Sequence, residues 1–247
     1  MKLWRSRRAP HVVFVHAGGV DGRMWHPLAD RLDGRRLHIP DLRGHGSTPL
    51  PPGDFSHAED LLRMLNDLRI KRATLVGASL GGWVALQLAT KAPERVDGLA
   101  LLASTYRDRE DDEWSPEIVA FHKKEEALLE ADDIDGAVAL GLRVWKPRPG
   151  VRDLVETMTR DAFARQQGVE AQERPLPVDL GAVAVPTLVV SGGKDPMPDF
   201  AVIADRLAAE IEGAERAVIK DAGHLIALER PDETAELLQP WLERVRA

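Results

Sequence analysis

The sequence predicts an α/β fold in which helices flank a mostly parallel sheet. Along most of the 247 residues, short apolar, β-branched runs alternate with longer amphipathic stretches, the pattern of successive strand–helix units. Glycine, proline or aspartate closes most of these runs, as turns require. The alternation stops between residues 106 and 180. We therefore predict a core domain made of residues 1–105 and 181–247, with a helical cap inserted at 106–180.

The predicted elements follow one another in a regular order. The strands are expected at residues 11–16, 35–41, 73–78, 96–104, 186–193 and 215–223. The core helices are expected at 25–32, 56–68, 80–91, 200–210 and 231–245. The interrupting segment is charged and poor in strand signals. Its three amphipathic stretches, EIVAFHKKEEALLEA, DIDGAVALGLRVW and RDLVETMTRDAFARQQ, predict three cap helices.

Composition excludes several classes of function. The formal charge of −7 argues against a nucleic-acid surface, which needs basic patches. No apolar run approaches the ~20 residues that span a bilayer. The basic start lacks the apolar segment of a signal peptide, and the chain has no cysteine. We expect a cytoplasmic protein with a small-molecule partner and neither nucleic-acid nor membrane partners; the oligomeric state stays open.

The sequence also lacks the signatures of common cofactor sites. Its eight histidines include no H-E-x-x-H spacing, and no carboxylate–histidine cluster has the spacing of metal ligands. The glycines after the first strand do not follow the G-x-G-x-x-G order of a dinucleotide site. We expect no cofactor and no metal.

A single serine interrupts the passage from the third predicted strand into the next helix. Gly77-Ala78-Ser79-Leu80-Gly81 matches G-x-S-x-G, which presents a serine on a sharp turn at the carboxyl edge of a parallel sheet. Such a turn brings strand and helix so close that only small residues fit beside the serine. The pattern also occurs by chance in glycine-rich loops, but here it follows a strand pattern and opens a helix pattern. We therefore predict that Ser79 is a nucleophile.

Because the G-x-S-x-G segment lies between a predicted strand and a predicted helix, residues 10–105 and 185–245 resemble a serine hydrolase of the α/β-hydrolase superfamily. The middle of the chain resembles the family only weakly. The chain also departs from the family at its start, because only about ten residues precede the first clear strand. One or both of the family's leading antiparallel strands are therefore expected to be short or missing.

The resemblance implies a catalytic triad in the order serine, acid, histidine. Asp195 follows the strand segment 187–190, and His224 follows the segment 217–219. His224 would be the base towards Ser79 and then the acid towards the leaving group, held by Asp195. Taken singly, Asp195 also fits a helix N-cap and His224 a loop histidine. The family's alternative acid position after residues 96–102 holds a serine and a threonine, which supports Asp195 as the acid, with Asp199 as the weaker candidate.

The resemblance also implies an oxyanion hole of two backbone N–H groups. Leu80 would supply one, and Gly18 would supply the other, with Gly19 as the alternative donor. The loop HAGG resembles the family's His-Gly-x loop, with Ala17 in place of the usual first glycine. Two histidines near this loop are interpreted as structural: His16 and His45.

The implied reaction is hydrolysis of a small ester or lactone through an acyl-enzyme on Ser79. A carbon–carbon bond hydrolase, thioesterase, acyltransferase or perhydrolase would use the same residues. A hydrolase-like ligand sensor with slow turnover is the alternative from another class.

The predicted cap carries the candidates for the substrate pocket. Its helices hold Trp114, Phe121, Trp145 and Phe163, most of which we expect to pack the cap on the core. Trp145 is the candidate for a pocket wall, together with Gly19. The segment 143–152 carries four positive charges, which either orient an anionic substrate or lie in a solvated loop.

Overall fold

The computed structural model describes residues 9–106 and 114–245. Its strands are β1 (His11–Val15), β2 (Arg36–His38), β3 (Gly53–Phe55), β4 (Ala73–Ala78), β5 (Val96–Leu102), β6 (Ala171–Glu173), β7 (Thr187–Gly192) and β8 (Glu215–Ile219). Six of them form one sheet in the order β2-β1-β4-β5-β7-β8, and each neighbouring pair is parallel. The predicted α/β fold with a mostly parallel sheet is confirmed. The expectation about leading strands lies largely on residues 1–8, outside the described residues.

The helices are α1 (His26–Ala29), α2 (His57–Asp67), α3 (Leu80–Lys91), α4 (Pro116–Glu130), α5 (Ile134–Trp145), α6 (Pro149–Gln166), α7 (Asp199–Glu210), α8 (Ile226–Glu229) and α9 (Pro231–Arg244). Several begin at a side-chain cap, as the sequence around them favours. Ser56, Ser115 and Asp133 each accept a hydrogen bond from the backbone N–H three residues on. None of the described helices is long and apolar enough to cross a bilayer.

Both faces of the sheet are buried, which explains why its strands read as continuous apolar runs. All six residues of β4 and of β7 are buried. On one face, alternate strand residues pack with α1, α8 and α9 around Trp25 and Trp241. On the other face, the remaining strand residues pack with α2, α3 and α7. Strands held from both sides fix the positions of the loops at their carboxyl ends.

Three helices occupy the interval where strand signals stop. α4, α5 and α6 pack on one another and share the apolar cluster that contains Trp25. β6 follows them and pairs in parallel with β3, a two-stranded ribbon that the sequence did not predict. Residues 107–113 of the predicted cap lie outside the described residues.

The strand order creates a crevice at the middle of the sheet. β1 continues to β2 on one side, whereas β4 and the later strands lie on the other side of β1. Open parallel sheets bind ligands at such a reversal, beyond the carboxyl ends of the strands. The loops after β1 and β4 meet at this point.

Candidate active site

Ser79 occupies a strained turn between β4 and α3. Its backbone angles are φ 49° and ψ −116°, a conformation that costs a non-glycine residue free energy. A Cβ on Gly77 would lie 2.3 Å from the carbonyl oxygen of Gly81, and a Cβ on Gly81 would lie 2.1 Å from that of Val15. A Cβ on Gly82 would lie 2.3 Å from Ser104 Oγ. The three glycines are therefore required by the close approach of strand, helix and neighbouring loops.

Backbone hydrogen bonds hold this turn in place. The Ser79 N–H donates to the carbonyl of Leu102 at 3.0 Å, and the Ser79 carbonyl accepts from Gly82 N–H at 3.0 Å and Thr105 N–H at 3.2 Å. The ends of β4 and β5 thus fix the serine at the carboxyl edge of the sheet, with its side chain facing a cavity.

Asp195 and His224 meet in the loops after β7 and β8. His224 Nδ1 lies 2.8 Å from Asp195 Oδ2, and the two side chains are 7 % and 4 % exposed. The second carboxylate oxygen of Asp195 accepts from Met197 N–H at 3.1 Å. Because the carboxylate can only accept, Nδ1 carries the proton and Nε2 is left as an acceptor. The imidazole is thereby set in the tautomer that a base towards a serine needs.

Asp199, the second acid candidate, has a different set of partners. Its two carboxylate oxygens accept from the backbone N–H and the hydroxyl of Ser115, both at 2.7 Å. Asp199 therefore links the start of α7 to the start of α4. The geometry favours Asp195 as the partner of His224.

Ser79 and His224 line the same cavity, which has a volume of about 430 Å³. Gly18, Gly19 and Leu80 line it from the core, and Trp145 lines it from α5. Among the described residues, the hydrogen-bonding contact of Ser79 Oγ is with Thr105 Oγ1 at 3.5 Å and not with His224. In the absence of substrate such catalytic contacts are often long, and they tighten when the site is filled.

The residues of the two predicted oxyanion donors lie close together and line the same cavity. A Cβ on Gly18 would lie 3.7 Å from Leu80 Cδ2. In the described part of the chain, neither the Gly18 N–H nor the Leu80 N–H has a hydrogen-bond acceptor. The Gly19 N–H, by contrast, donates to His45 Nε2 at 3.4 Å. The geometry therefore favours Gly18 over Gly19 as the second donor.

His16 and His45 hold the loop after β1. His16 Nδ1 donates to Ala17 O at 2.8 Å, and its Nε2 accepts from Leu42 N–H at 2.8 Å. Burial, reinforced by the neighbouring His45, lowers the pKa of His16 to about 4. His45 Nδ1 donates to Arg43 O at 2.9 Å, and burial lowers the pKa of His45 as well. Both rings are neutral acceptors that support the loop, as interpreted from the sequence.

Aromatic rings enclose the His224 ring. The Trp145 ring stacks on the His224 ring with centroids 4.4 Å apart, and the Phe200 ring lies 4.2 Å from it on a tilt. Phe121 meets Trp145 edge-on at 5.3 Å. Trp114 and Phe163 also line the cavity, so these aromatic residues contribute more to it than the sequence suggested.

The four positive side chains of the segment 143–152 do not line the cavity. Among the described residues that line it, none is a lysine or arginine. Arg148 instead donates to Glu229 O at 3.1 Å, and Arg152 donates to Leu142 O at 3.5 Å. The expectation that this segment orients an anionic substrate is not supported by the geometry.

Sequence reasoning assigned no role to several lining residues, among them Thr105, Phe200 and Glu125. Thr105 and Phe200 sit just beyond β5 and at the start of α7, positions at the carboxyl edge that mark them as candidates. Glu125 lies on α4, where nothing in the sequence distinguishes it from the neighbouring glutamates. No group of three or more possible metal ligands occurs in the described ranges 9–106 and 114–245.

Comparison with known proteins identifies the family. The model of the "Alpha/beta hydrolase family" matches residues 12–237, nearly the whole chain. The chain belongs to this family. A similar curated protein is the pimeloyl-[acyl-carrier protein] methyl ester esterase of Aeromonas salmonicida, 27% identical, with 95% of this chain and 96% of that protein covered. The 3-oxoadipate enol-lactonase 1 of Acinetobacter baylyi is 24% identical, with 96% and 90% covered.

A solved structure gives the same result for this alpha/beta hydrolase. The thermophilic esterase from Thermogutta terrifontis, determined with malate bound, matches with a TM-score of 0.77 and 26% identity. The match covers 96% of this chain and 91% of the esterase. The family and fold are therefore established over the residues that build the sheet and the cavity.

Proposed function

We propose that this alpha/beta hydrolase cleaves a small carboxylic ester or lactone through an acyl-enzyme on Ser79. The observation that carries the proposal is the buried Asp195–His224 pair, whose free Nε2 shares a cavity with the only serine hydroxyl on its lining among the described residues. The names of the similar proteins, a methyl ester esterase and an enol-lactonase, support the same class of reaction.

The proposed reaction begins when Ser79 Oγ turns from Thr105 towards His224 Nε2 and transfers its proton. Oγ attacks the substrate carbonyl, and the backbone N–H groups of Gly18 and Leu80 donate to the resulting oxyanion, aided by the amino-terminal end of α3. His224 then returns the proton to the leaving alkoxide. Water, deprotonated by His224, attacks the acyl-enzyme and releases the carboxylic acid and the free serine.

We also propose that residues 106–180 form a cap whose helices cover the acyl pocket. Residues from α4, α5 and α6 line the cavity opposite Ser79. In this arrangement the cap sets substrate size, while the core supplies the chemistry.

The test is a panel of methyl esters, aryl esters, lactones and thioesters assayed with wild type and Ser79→Ala. Wild type should turn over an ester or a lactone, and mass spectrometry of the quenched enzyme should show an acyl adduct on Ser79. Ser79→Ala should fold normally and lose about a thousandfold or more in kcat.

Two outcomes would contradict the proposal. One is unchanged turnover in Ser79→Ala. The other is single-turnover binding without sustained release of product, which would favour the hydrolase-like ligand sensor. A thioester as the best substrate would keep the triad and change the substrate class.

A further inference from the structure

The cavity beside the proposed triad has acidic side chains on its lining. Glu125 and Glu173 are its acidic side chains, and among the described residues that line it there is no lysine or arginine. Resting on the proposed ester hydrolysis, we infer that the pocket selects esters with an ammonium group on the acyl chain over their carboxylate isosteres, and that Glu125 sets this preference.

An aromatic wall connects the base to Glu125. From His224 it passes to Trp145, 4.4 Å away, and then to Phe121, a further 5.3 Å away. Phe121 and Glu125 are four residues apart on α4 and both line the cavity, so they share one face of that helix. Glu125 therefore lies on the same face of α4 as Phe121, about one helical turn, or about 6 Å, from it along the helix axis.

Aromatic faces and a carboxylate attract the same kind of group. The ring quadrupole draws a cation over its face, and aromatic walls are the common means of binding quaternary ammonium ligands. A carboxylate substrate placed along this wall would lose water and gain a like charge from Glu125. An ammonium group would gain both the ring faces and the opposite charge.

Among the described residues, Glu125 has no ion pair with a lysine or an arginine. Its side chain is 22 % exposed, and its ion-pair contact is with His122 Nδ1 at 3.9 Å, which is a charge pair only when that imidazole is protonated.

The experiment compares three 4-nitrophenyl esters of equal acyl length that end in trimethylammonium, tert-butyl or carboxylate. Values of kcat/KM are measured at about pH 8 for wild type, Glu125→Gln and Glu126→Gln. For each enzyme, the values for the ammonium and carboxylate esters are divided by the value for the tert-butyl ester. Glu126 is exposed, does not line the cavity and carries the same charge, so it is the matched control. The Glu126→Gln variant shows how much of the ester preference comes from the long-range electrostatic field of a chain with net charge −7, which added salt should screen.

Wild type should prefer the ammonium ester over the carboxylate ester by about tenfold or more. Glu125→Gln should reduce that ratio to within about threefold of unity, while Glu126→Gln keeps the wild-type ratio. A wild-type preference for the carboxylate, equal rates, or equal effects of the two substitutions would overturn the inference.

A binding measurement separates this inference from the proposed hydrolysis. The same three esters can be titrated into Ser79→Ala and followed by tryptophan fluorescence, since Trp83, Trp114 and Trp145 line the cavity. Tighter binding of the ammonium ester would support the charge preference even if wild type turned over none of the esters. Equal affinities for the ammonium and carboxylate esters would overturn it even if hydrolysis on Ser79 were established.

Discussion

Three buried neutral histidines should make this protein sensitive to mild acid. His16, His45 and His57 are each less than 6 % exposed, and the His16 and His45 rings lie 4.9 Å apart. Burial, together with the neighbouring imidazoles, lowers the pKa of His16 to about 4 and that of His57 to about 3, from an ordinary value of 6.5. Burial lowers the pKa of His45 in the same direction.

The sign and size of the effect follow from proton linkage. Below pH 6.5 the unfolded chain takes up protons at these histidines, whereas the folded chain does not until pH approaches the lowered pKa values. The stability is therefore fully present above pH 6.5 and is lost as pH falls. Each histidine contributes about 1.4 kcal/mol per pH unit, so His16 and His57 together remove about 5 kcal/mol between pH 6.5 and 4.5. A loss of that size is comparable to the whole stability of many domains.

Urea unfolding at several pH values between about 7.5 and 4.5, followed by tryptophan fluorescence, measures this dependence. His57→Phe is the informative variant, because His57 Nδ1 is buried without a hydrogen-bond partner among the described residues and its ring packs edge-on against Phe55. The variant should reduce the slope by about 1.4 kcal/mol per pH unit. His26→Asn, at an exposed position, is the control. A wild-type stability that stays flat from pH 6.5 to 4.5, or an unchanged slope in His57→Phe, would refute the reasoning.

Three further predictions concern the site. Gly81→Ala places a Cβ 2.1 Å from a carbonyl oxygen of β1, so it should cost about 3 kcal/mol in unfolding free energy and more than a hundredfold in kcat; near-wild-type values of both would contradict the steric account. Trp145→Ala removes the ring stacked on His224 and should change relative chain-length preference, whereas a loss of Tm alone would make Trp145 a packing residue. His45→Leu removes the acceptor of the Gly19 N–H and should lower kcat about tenfold with little change in KM, and a change in Tm with unchanged kcat would show a merely structural role.

The sequence predicted well those elements that are buried along their whole length, because burial makes them apolar over a long run of residues. β4 and β7 are buried along all six residues, and the runs ATLVGA and TLVVSG that form them are apolar almost throughout. The elbow at Ser79 was visible because its glycines are required: Gly77 by the start of α3, and Gly81 and Gly82 by atoms from two other segments. β3 and β6, by contrast, are three-residue strands that pair with each other across the chain. Three residues are too few to show a hydrophobic period. Such a segment becomes a strand only by pairing with a partner that is distant in the sequence, so the sequence does not reveal it.

The positive segment shows why charge cannot be assigned to a pocket by counting residues. Trp145 ends α5 and turns its ring onto His224, whereas the next residue, Lys146, has φ 47° and ψ 51°. The chain turns there, and Arg143 and Lys146 on either side of Trp145 are exposed and do not line the cavity. On α4, helical spacing instead puts Phe121 and Glu125 on one face, and both line the cavity, whereas Glu126 is exposed. Which charged side chains line the cavity therefore depends on one helix face and one backbone turn. Counting the charges along the segment 143–152 shows neither of them.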